Sequence, residues 1–557
     1  MIRHTITNSI QEALKALDIV AEEVALEYPA DVSHGDFSSN VAMVLAQKEK
    51  QNPRELAGKI QEEIEKNLPL EIERIEVAGP GFINFYLSQD FFTKQLEEIL
   101  KKGDTWGRNE LLKGQKIMVE YTQPNPFKPF HIGHLMSNTI GEAVSRIIEF
   151  SGADTKRANY QGDIGLHVAK ALWAIGKESF DARSVNDLGA AYAYGHEKYE
   201  TDEKAKLEII ELNKHVALGD SGLKDTYDIG LATSLNHFEE IYETLGTKFD
   251  YSFFESEGLT IGLPMVERGL KAGIFEESEG ALVFHGEKYG LHTRVFKTQY
   301  GTTTYETRDL GLPILKQNEF NFDTSITVTA VEQETYFDVI FKVFSLLEPN
   351  FKGKLVHIPH GMMQLPEGKM SSRKGNVVTG ESLIEEMKIG ALKKMESFEV
   401  EHKDAVAEEV AVAAIKYSVL KQSSGKNISF NPEEALSFEG DSGPYIQYAH
   451  ARILSILEKA NTEGVTEKAN ALDVVTNVDT LLHRFPDVVA RAVAEYEPHY
   501  ITTYITELSS AFSTWYAHTK ILDGTPEASV KLARAHAVAV TLKNGLWLLG
   551  IKAPERM

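Results

Sequence analysis

The sequence predicts a multidomain α/β protein, with a parallel sheet preceded by a small α+β domain and followed by an all-α bundle. A strand-like run passes directly into a helical pattern within residues 116–152, and strand and helix patterns then alternate to about residue 380. Almost every later segment is helical. Alternating strands and helices are typical of a parallel sheet, and 557 residues are too many for one core.

Residues 1–106 are expected to form the small α+β domain. Apolar residues recur at helical spacing over residues 5–17, and two more helical patterns lie on either side of Pro53. The run IERIEVAGPGFINFYLS alternates as a hairpin does, with its turn at Gly79–Gly81.

Residues 107–438 are expected to contain the parallel sheet. Ile117, Val119 and Tyr121 alternate as in a strand, a helix follows, and TKRANYQGDIGLHVAKAL repeats the order of strand, glycine turn and helix. The stretch from about 180 to 249 is helical and charged, which indicates an insertion. The strand-like runs ALVFHG, TRVFKTQ, TSITVTAV and KLVHIPHGMM are expected to supply the second half of the sheet.

Residues 439–557 are expected to form a helical bundle. Long helical patterns such as PYIQYAHARILSILEKA and PHYITTYITELSSAFSTWYAHTKIL are separated by short stretches rich in proline or glycine. Such a run of helices is typical of a bundle.

The junction between the first strand of the sheet and its helix has the features of an anion site. Three prolines within residues 124–129 prevent regular structure there, and His131, Gly133 and His134 then begin the helix. A helix start offers free N–H groups and the positive end of its dipole, imidazoles can donate to phosphate oxygens, and Gly133 leaves room for a flat base. Two histidines at a helix start are often only capping residues, but this combination favours a nucleotide site.

A second cationic segment is KMSSRKGN, residues 369–376. A flexible basic loop of this kind can close on a polyphosphate and stabilise the charge that develops as pyrophosphate leaves. The alternative is a solvated basic turn.

HIGH at a helix start resembles the ATP signature of class I aminoacyl-tRNA synthetases, and VEYTQPNPFKPFHIGHL resembles their arginyl-tRNA synthetase branch. The resemblance implies a Rossmann-like catalytic domain, a tRNA-contacting N-terminal domain and an anticodon-binding C-terminal bundle. A scaffold is the alternative role of the N-terminal domain. KMSSRKGN is similar to the second signature of the class, with Ser372 where a lysine usually stands, so the charge falls to Lys369 or Lys374. We favour Lys374.

The resemblance also implies roles for individual residues. A carboxylate accepts a guanidinium in a two-pronged pairing that lysine cannot copy. Arginine would be held at its α-amino and carboxyl end by Glu120, Asn125 and Gln333, and at its guanidinium by Tyr305 and Asp309. His131 is also expected to contact arginine. The expected catalytic residues are His131, His134, Lys369 and Lys374, and ATP would contact His131, Gly133, His134, Lys369, Ser371 and Lys374.

The composition limits which cofactors and partners the protein can bind. The chain has no cysteine, which excludes disulfides and thiolate chemistry, and no carboxylate cluster marks a metal site, so we expect only Mg²⁺ with ATP and no organic cofactor. Its 58 basic and 82 acidic residues give a net charge of −24, which argues against non-specific nucleic-acid binding but permits tRNA on a local basic face. No apolar run could span a membrane. We expect a cytoplasmic monomer that binds neither DNA nor membranes.

The expected activity is ligation of L-arginine to tRNA(Arg) through an arginyl-adenylate. The resemblance further implies that arginine activation requires bound tRNA. The alternatives are another class I synthetase, a catalytically dead tRNA-binding paralogue, and a small-molecule nucleotidylyltransferase, which would not explain the long helical C-terminus.

Overall fold

The computed structural model describes residues 2–21, 23–29, 31–217, 222–299, 301–365, 378–469, 472 and 474–557. Its strands are β1 (Phe37–Ser39), β2 (Ile72–Ala78), β3 (Phe82–Leu87), β4 (Lys116–Glu120), β5 (Asp154–Gln161), β6 (Tyr251–Phe254), β7 (Glu276–Ser278), β8 (Ala281–Phe284), β9 (Arg294–Lys297), β10 (Thr324–Ala330), β11 (Leu355–His360), β12 (Met363–Gln364) and β13 (Ile428–Ser429).

Its α-helices are α1 (Ile2–Ala16), α2 (Val41–Glu49), α3 (Pro53–Glu65), α4 (Gln89–Lys102), α5 (Ile132–Phe150), α6 (Leu166–Lys177), α7 (Val185–Thr201), α8 (Glu203–Ala217), α9 (Lys224–Leu245), α10 (Glu255–Lys271), α11 (Tyr305–Glu319), α12 (Glu334–Leu347), α13 (Gly380–Lys394), α14 (Lys403–Leu420), α15 (Pro432–Ala435), α16 (Gly443–Thr462), α17 (Asn477–Leu482), α18 (Phe485–Glu495), α19 (His499–His518) and α20 (Ala528–Leu548). None of the described helices is long and apolar enough to cross a membrane.

The chain forms two compact units. The first contains Met1–Trp106, Ile453–Phe485 and Leu508–Thr541, and the second contains Gly107–Arg452, Pro486–Glu507 and Leu542–Met557. The division into three domains in chain order stays a prediction.

In the first unit, a three-stranded antiparallel sheet with the order β1–β3–β2 packs against helices α2 and α3. The predicted hairpin is confirmed: β2 and β3 pair antiparallel on either side of the turn at Gly79–Gly81. Apolar side chains from α1, α3 and β3 are fully buried here, among them Ile6, Ile60 and Phe85, and their burial stabilises the unit.

In the second unit, the predicted parallel sheet is confirmed, with the strand order β11–β10–β4–β5–β6. Helix α5 packs against β4, β5 and β10, and helices α7, α8 and α9 occupy the predicted helical insertion between β5 and β6. β4 lies at the centre of the sheet, so the carboxyl ends of β4, β5, β10 and β11 meet at one edge, where such sheets bind ligands.

One expectation about the sheet is wrong. The runs ALVFHG and TRVFKTQ contain β8 and β9, which form a separate antiparallel sheet with β7 rather than part of the parallel sheet. The connection between β8 and β9 is short, whereas parallel neighbours need a long crossover. The fifth parallel strand is instead β6, a four-residue strand without a clear alternating pattern.

The C-terminal helices in this unit are joined to the sheet region by a buried lysine. Lys416, on α14, has no exposed surface, and its ammonium donates to the carbonyl oxygens of Leu245 at 2.6 Å and Gly550 at 2.7 Å. Cations at the carboxyl ends of helices are favourable because the dipole is negative there. Lys416 therefore holds the ends of α9 and α20 together.

Candidate active site

A cavity of about 620 Å³ opens at the carboxyl edge of the parallel sheet. Of the predicted site residues, the structure brings together those that it describes: Glu120, Asn125, His131, Gly133, His134, Tyr305, Asp309 and Gln333. The predicted Lys369, Ser371 and Lys374, and with them Ser372, lie outside the described residues.

The entrance of helix α5 holds two stacked imidazoles. The rings of His131 and His134 lie 3.5 Å apart between centroids. The backbone N–H of His134 donates to Nδ1 of His131 at 3.4 Å, and the backbone N–H of His131 donates to Nδ1 of His134 at 3.2 Å. Because each Nδ1 accepts a hydrogen bond, a neutral ring carries its proton on Nε2.

The electrostatic environment keeps both imidazoles neutral. Burial and the charge of Lys128 lower the pKa of His131, and burial, His131 and Lys128 lower the pKa of His134. Each ring therefore offers one Nε2–H donor to an anion. Gly133 between them has little room for a side chain, since a Cβ there would lie 3.0 Å from the His131 ring.

The loop between β4 and α5 is held in an unusual backbone conformation. Thr122, Gln123 and Phe127 have φ angles of 78°, 51° and 65°. Left-handed geometry is costly for residues other than glycine, especially a β-branched one. Side chains from other elements hold each of the three backbone N–H groups: Ser137 Oγ accepts from Thr122 at 3.0 Å, Asn159 Oδ1 from Gln123 at 3.1 Å and Ser234 Oγ from Phe127 at 3.0 Å.

The cavity is lined by four carboxylates, which differ in their partners. Three of them form ion pairs with cations of the chain: Glu120 with Lys316, Glu255 with Arg308 at 2.5 Å, and Glu306 with Arg294 at 3.7 Å. Asp309 is the exception, because no lysine, arginine or histidine in the described part of the chain pairs with it.

Asp309 accepts a hydrogen bond from the Tyr336 hydroxyl at 2.6 Å. Burial raises the pKa of Asp309 to about 7; the Tyr336 hydrogen bond opposes this shift, and the charges of Glu255 and Glu120 add to it. Such a carboxylate gains more from a cationic ligand than from water. Among the described residues, the site thus has one acid that lacks a counter-charge.

Helix α11 begins at Tyr305. Tyr305 is 52% exposed, and Asp309 lies one turn further along the same helix. Gln333 follows β10 in a short 3₁₀ turn, and Asn125 packs so close to Gly162 that a Cβ there would lie 2.3 Å from its Oδ1.

Three further cavity residues did not emerge from the sequence. Gln123 donates to Glu120 Oε1 at 2.7 Å, Lys316 pairs with the same carboxylate, and Tyr336 bonds Asp309. Lys128, which lies outside the cavity lining, also escaped notice. The signal for Lys128 was its place three residues before His131, and Gln123 lies three residues from its partner Glu120. Lys316 and Tyr336 have partners remote in sequence.

The described residues contain no group of three histidine, aspartate or glutamate side chains that could hold a metal ion. A metal cage built by the protein is therefore not part of the described site.

The parallel sheet, the histidine-bearing helix entrance at its carboxyl edge and the C-terminal helices fit a class I aminoacyl-tRNA synthetase, and comparison with known families shows this class. Residues 95–431 match the family described as tRNA synthetases class I (R), catalytic domain. Residues 446–557 match the DALR anticodon binding domain, and residues 4–87 match the arginyl tRNA synthetase N terminal domain. The chain belongs to the arginyl-tRNA synthetase family.

Relatives that match over nearly the whole of both chains belong to the same family. The chain is 34% identical to an arginine–tRNA ligase of Treponema denticola, over 97% of this chain and 96% of that protein. It is 31% identical to an arginine–tRNA ligase of Halothermothrix orenii, over 100% and 99% of the two chains. The solved Thermus thermophilus arginyl-tRNA synthetase is 25% identical, with a TM-score of 0.81 and full coverage of both chains. Membership of the class implies ATP as a substrate.

Proposed function

We propose that this chain attaches L-arginine to tRNA(Arg) at the cavity described above. An oxygen of the arginine α-carboxylate attacks the α-phosphorus of ATP, which forms arginyl-adenylate and releases pyrophosphate. A hydroxyl of the terminal ribose of tRNA then attacks the carbonyl carbon, loses its proton as the ester forms, and AMP departs. No protein nucleophile is needed, so the protein contributes positioning and charge stabilisation.

The observation that carries this proposal is the charge distribution of the cavity. Asp309 is the lining carboxylate without a chain cation among the described residues, and it faces the same space as Tyr305. A guanidinium can donate two parallel hydrogen bonds to it, whereas an ammonium cannot copy this geometry. Tyr305 and Asp309 would hold the guanidinium, while Glu120, Asn125 and Gln333 would hold the α-amino and carboxyl end. His131 would also contact arginine.

The entrance of α5 would bind ATP. The Nε2–H groups of His131 and His134 would donate to phosphate oxygens, which become more negative in the transition state, and Gly133 would lie against the base. Lys369, Ser371 and Lys374 would complete the phosphate site, with Lys374 in place of the lysine absent at Ser372. Mg²⁺ would arrive with the nucleotide phosphates.

The remaining parts of the molecule would bind tRNA. The N-terminal α+β region would contact the body of the tRNA, and the C-terminal helices would bind the anticodon, on a local basic face within a protein of net charge −24. We expect a monomer that acts in the cytoplasm and activates arginine only with tRNA bound.

The decisive experiment is ATP–pyrophosphate exchange with each of the amino acids, with and without tRNA, followed by charging of tRNA with the preferred one. We expect exchange with arginine, dependent on tRNA. Exchange with a different amino acid would favour another class I synthetase, and no exchange under either condition would favour a catalytically dead tRNA-binding protein.

A further inference from the structure

A buried ion pair lies in the wall of the cavity. Lys316 and Glu120 are each 2% exposed, and the lysine ammonium contacts Glu120 Oε2. The same ammonium donates to Ser325 Oγ at 3.2 Å, and Gln123 Nε2 donates to Glu120 Oε1 at 2.7 Å. The carboxylate is therefore fixed from two sides.

The position of Lys316 connects it to the rest of the site. It lies on α11, the helix that carries Tyr305 and Asp309, and seven residues after Asp309 it returns to the same helical face. All of these residues line the same cavity. Lys316 thus ties α11 to the end of β4.

The ion pair leaves acceptor positions of the Glu120 carboxylate free for a ligand. A carboxylate has about four acceptor positions; Gln123 uses one on Oε1, and Oε2, which contacts the Lys316 ammonium, accepts no hydrogen bond from the described residues. A second cation can therefore approach Glu120 from the cavity without displacing Lys316. The Asp309 carboxylate, which also lines the cavity, is available for the other cation of arginine.

We propose that Lys316 is a positioning residue, whose ammonium orients the Glu120 carboxylate to accept the α-ammonium of arginine. This inference rests on the proposed function. Without the ion pair, the buried Glu120 carboxylate is no longer held toward the cavity, and the α-ammonium of arginine loses its partner. If Lys316 instead competed with the α-ammonium of arginine for Glu120, its removal would strengthen arginine binding. The free acceptor positions on the carboxylate allow both cations to bind at once.

The test compares two ligands in Lys316→Met. One is L-arginine, and the other is 5-guanidinopentanoate, which is arginine without its α-ammonium group. We expect the KM for arginine in tRNA-dependent exchange to rise about 10-fold or more, while the inhibition constant of 5-guanidinopentanoate changes less than about twofold. Equal weakening of both ligands, or tighter arginine binding, would overturn the proposal.

A double-mutant cycle sharpens the test. In a Glu120→Gln background, adding Lys316→Met should change the KM for arginine by less than about twofold, because the carboxylate that Lys316 orients is already absent. Additive effects would contradict the proposal. Lys316→Arg, which keeps the cation, should restore most of the arginine affinity.

Two controls separate this role from general destabilisation. Lys416→Met removes another buried ammonium, one that does not line the cavity, and should not discriminate between the two ligands. If Lys316→Met does not fold, Lys316→Gln keeps a hydrogen-bond donor without charge and must show the same selective loss. Failure of the wild-type protein to activate arginine would refute the proposed function, and this outcome is distinct from a non-selective effect in the variants.

Discussion

At the scale of single residues, the proposed role of Asp309 predicts how arginine binding responds to pH. With its pKa at about 7, this carboxylate is mostly protonated at pH 6 and mostly ionised at pH 8. A guanidinium pairs with the ionised form, so we expect the KM for arginine to fall as pH rises through 7, and to be about tenfold higher at pH 6 than at pH 8. The KM for ATP should change much less.

Asp309→Asn is the matched variant for this prediction. It keeps the shape and removes the charge, so the KM for arginine should be high at every pH, by roughly 100-fold or more at pH 8. The groups that face Asp309 are Tyr336, Tyr160, Glu120 and Glu255, and burial also raises the pKa of Glu255 to about 7. A pH dependence that survives in Asp309→Asn would belong to Glu255 and would contradict the assignment.

The loop lysines give a second residue-scale prediction, which rests on the sequence because residues 366–377 lie outside the described structure. If Lys374 stabilises the departing pyrophosphate, Lys374→Ala should lower kcat for activation by roughly 100-fold and leave the KM for arginine nearly unchanged. A severe loss in Lys369→Ala together with a nearly normal Lys374→Ala would reverse the choice.

At the scale of elements, the position of the site depends on how closely α10 and α11 cross. A Cβ on Gly262 would lie 1.8 Å from the carbonyl oxygen of Thr307, and a Cβ on Gly311 would lie 2.0 Å from that of Gly258. These contacts are between backbones, which cannot move aside as a side chain can. The two glycines therefore set the distance between the helices, and α11 carries Tyr305 to the cavity.

Gly262→Ala should force the two helices apart. We expect a loss of about 1–3 kcal/mol in the free energy of unfolding, and a rise of about tenfold or more in the KM for arginine, since small displacements of binding groups are costly. Chemical denaturation and exchange kinetics measure these two quantities.

Gly176→Ala is the control for this substitution. Gly176 is a glycine of helix α6 with no heavy atom within 4 Å of the added Cβ. Its replacement should leave the KM for arginine unchanged and alter stability by no more than about 1 kcal/mol. The prediction fails if the two alanine variants behave alike.

At the scale of the whole molecule, the acidic balance makes tRNA binding sensitive to salt. In a chain of net charge −24, a local basic face must attract the phosphates, and added salt weakens such contacts. We expect the KM for tRNA to rise at least about tenfold between 50 and 200 mM salt, while the KM for arginine changes much less. A KM for tRNA that is independent of salt would contradict a basic tRNA-binding face.

This measurement is preferable to removing the C-terminal helices. Lys416 binds the carbonyl oxygen of Gly550, and Gln447 donates to that of Lys552 at 2.8 Å. A chain that ends near Gly440 would lose the Gly550 carbonyl that Lys416 binds. Loss of charging in such a protein would therefore not distinguish failed tRNA binding from failed folding.

The sequence by itself determined the elements whose signals are local. The strand before residue 121, the helix that begins after His131 and the hairpin at Gly79–Gly81 all follow from periodicity and from proline and glycine positions. The HIGH segment and its surroundings also identified the family, because these residues are contiguous in the chain.

Only the tertiary structure decided which distant residues meet. Periodicity reports neighbours along the chain, so it could not assign β8 and β9 to a separate antiparallel sheet or find the short β6. The pairing of Glu120 with Lys316 depends on how α11 lies across the end of β4, and the left-handed backbone at Thr122 is held by a hydrogen bond from its N–H to the Ser137 side chain on α5. The sequence proposed candidate site residues, and packing determined that Asp309 is the cavity carboxylate without a described chain cation.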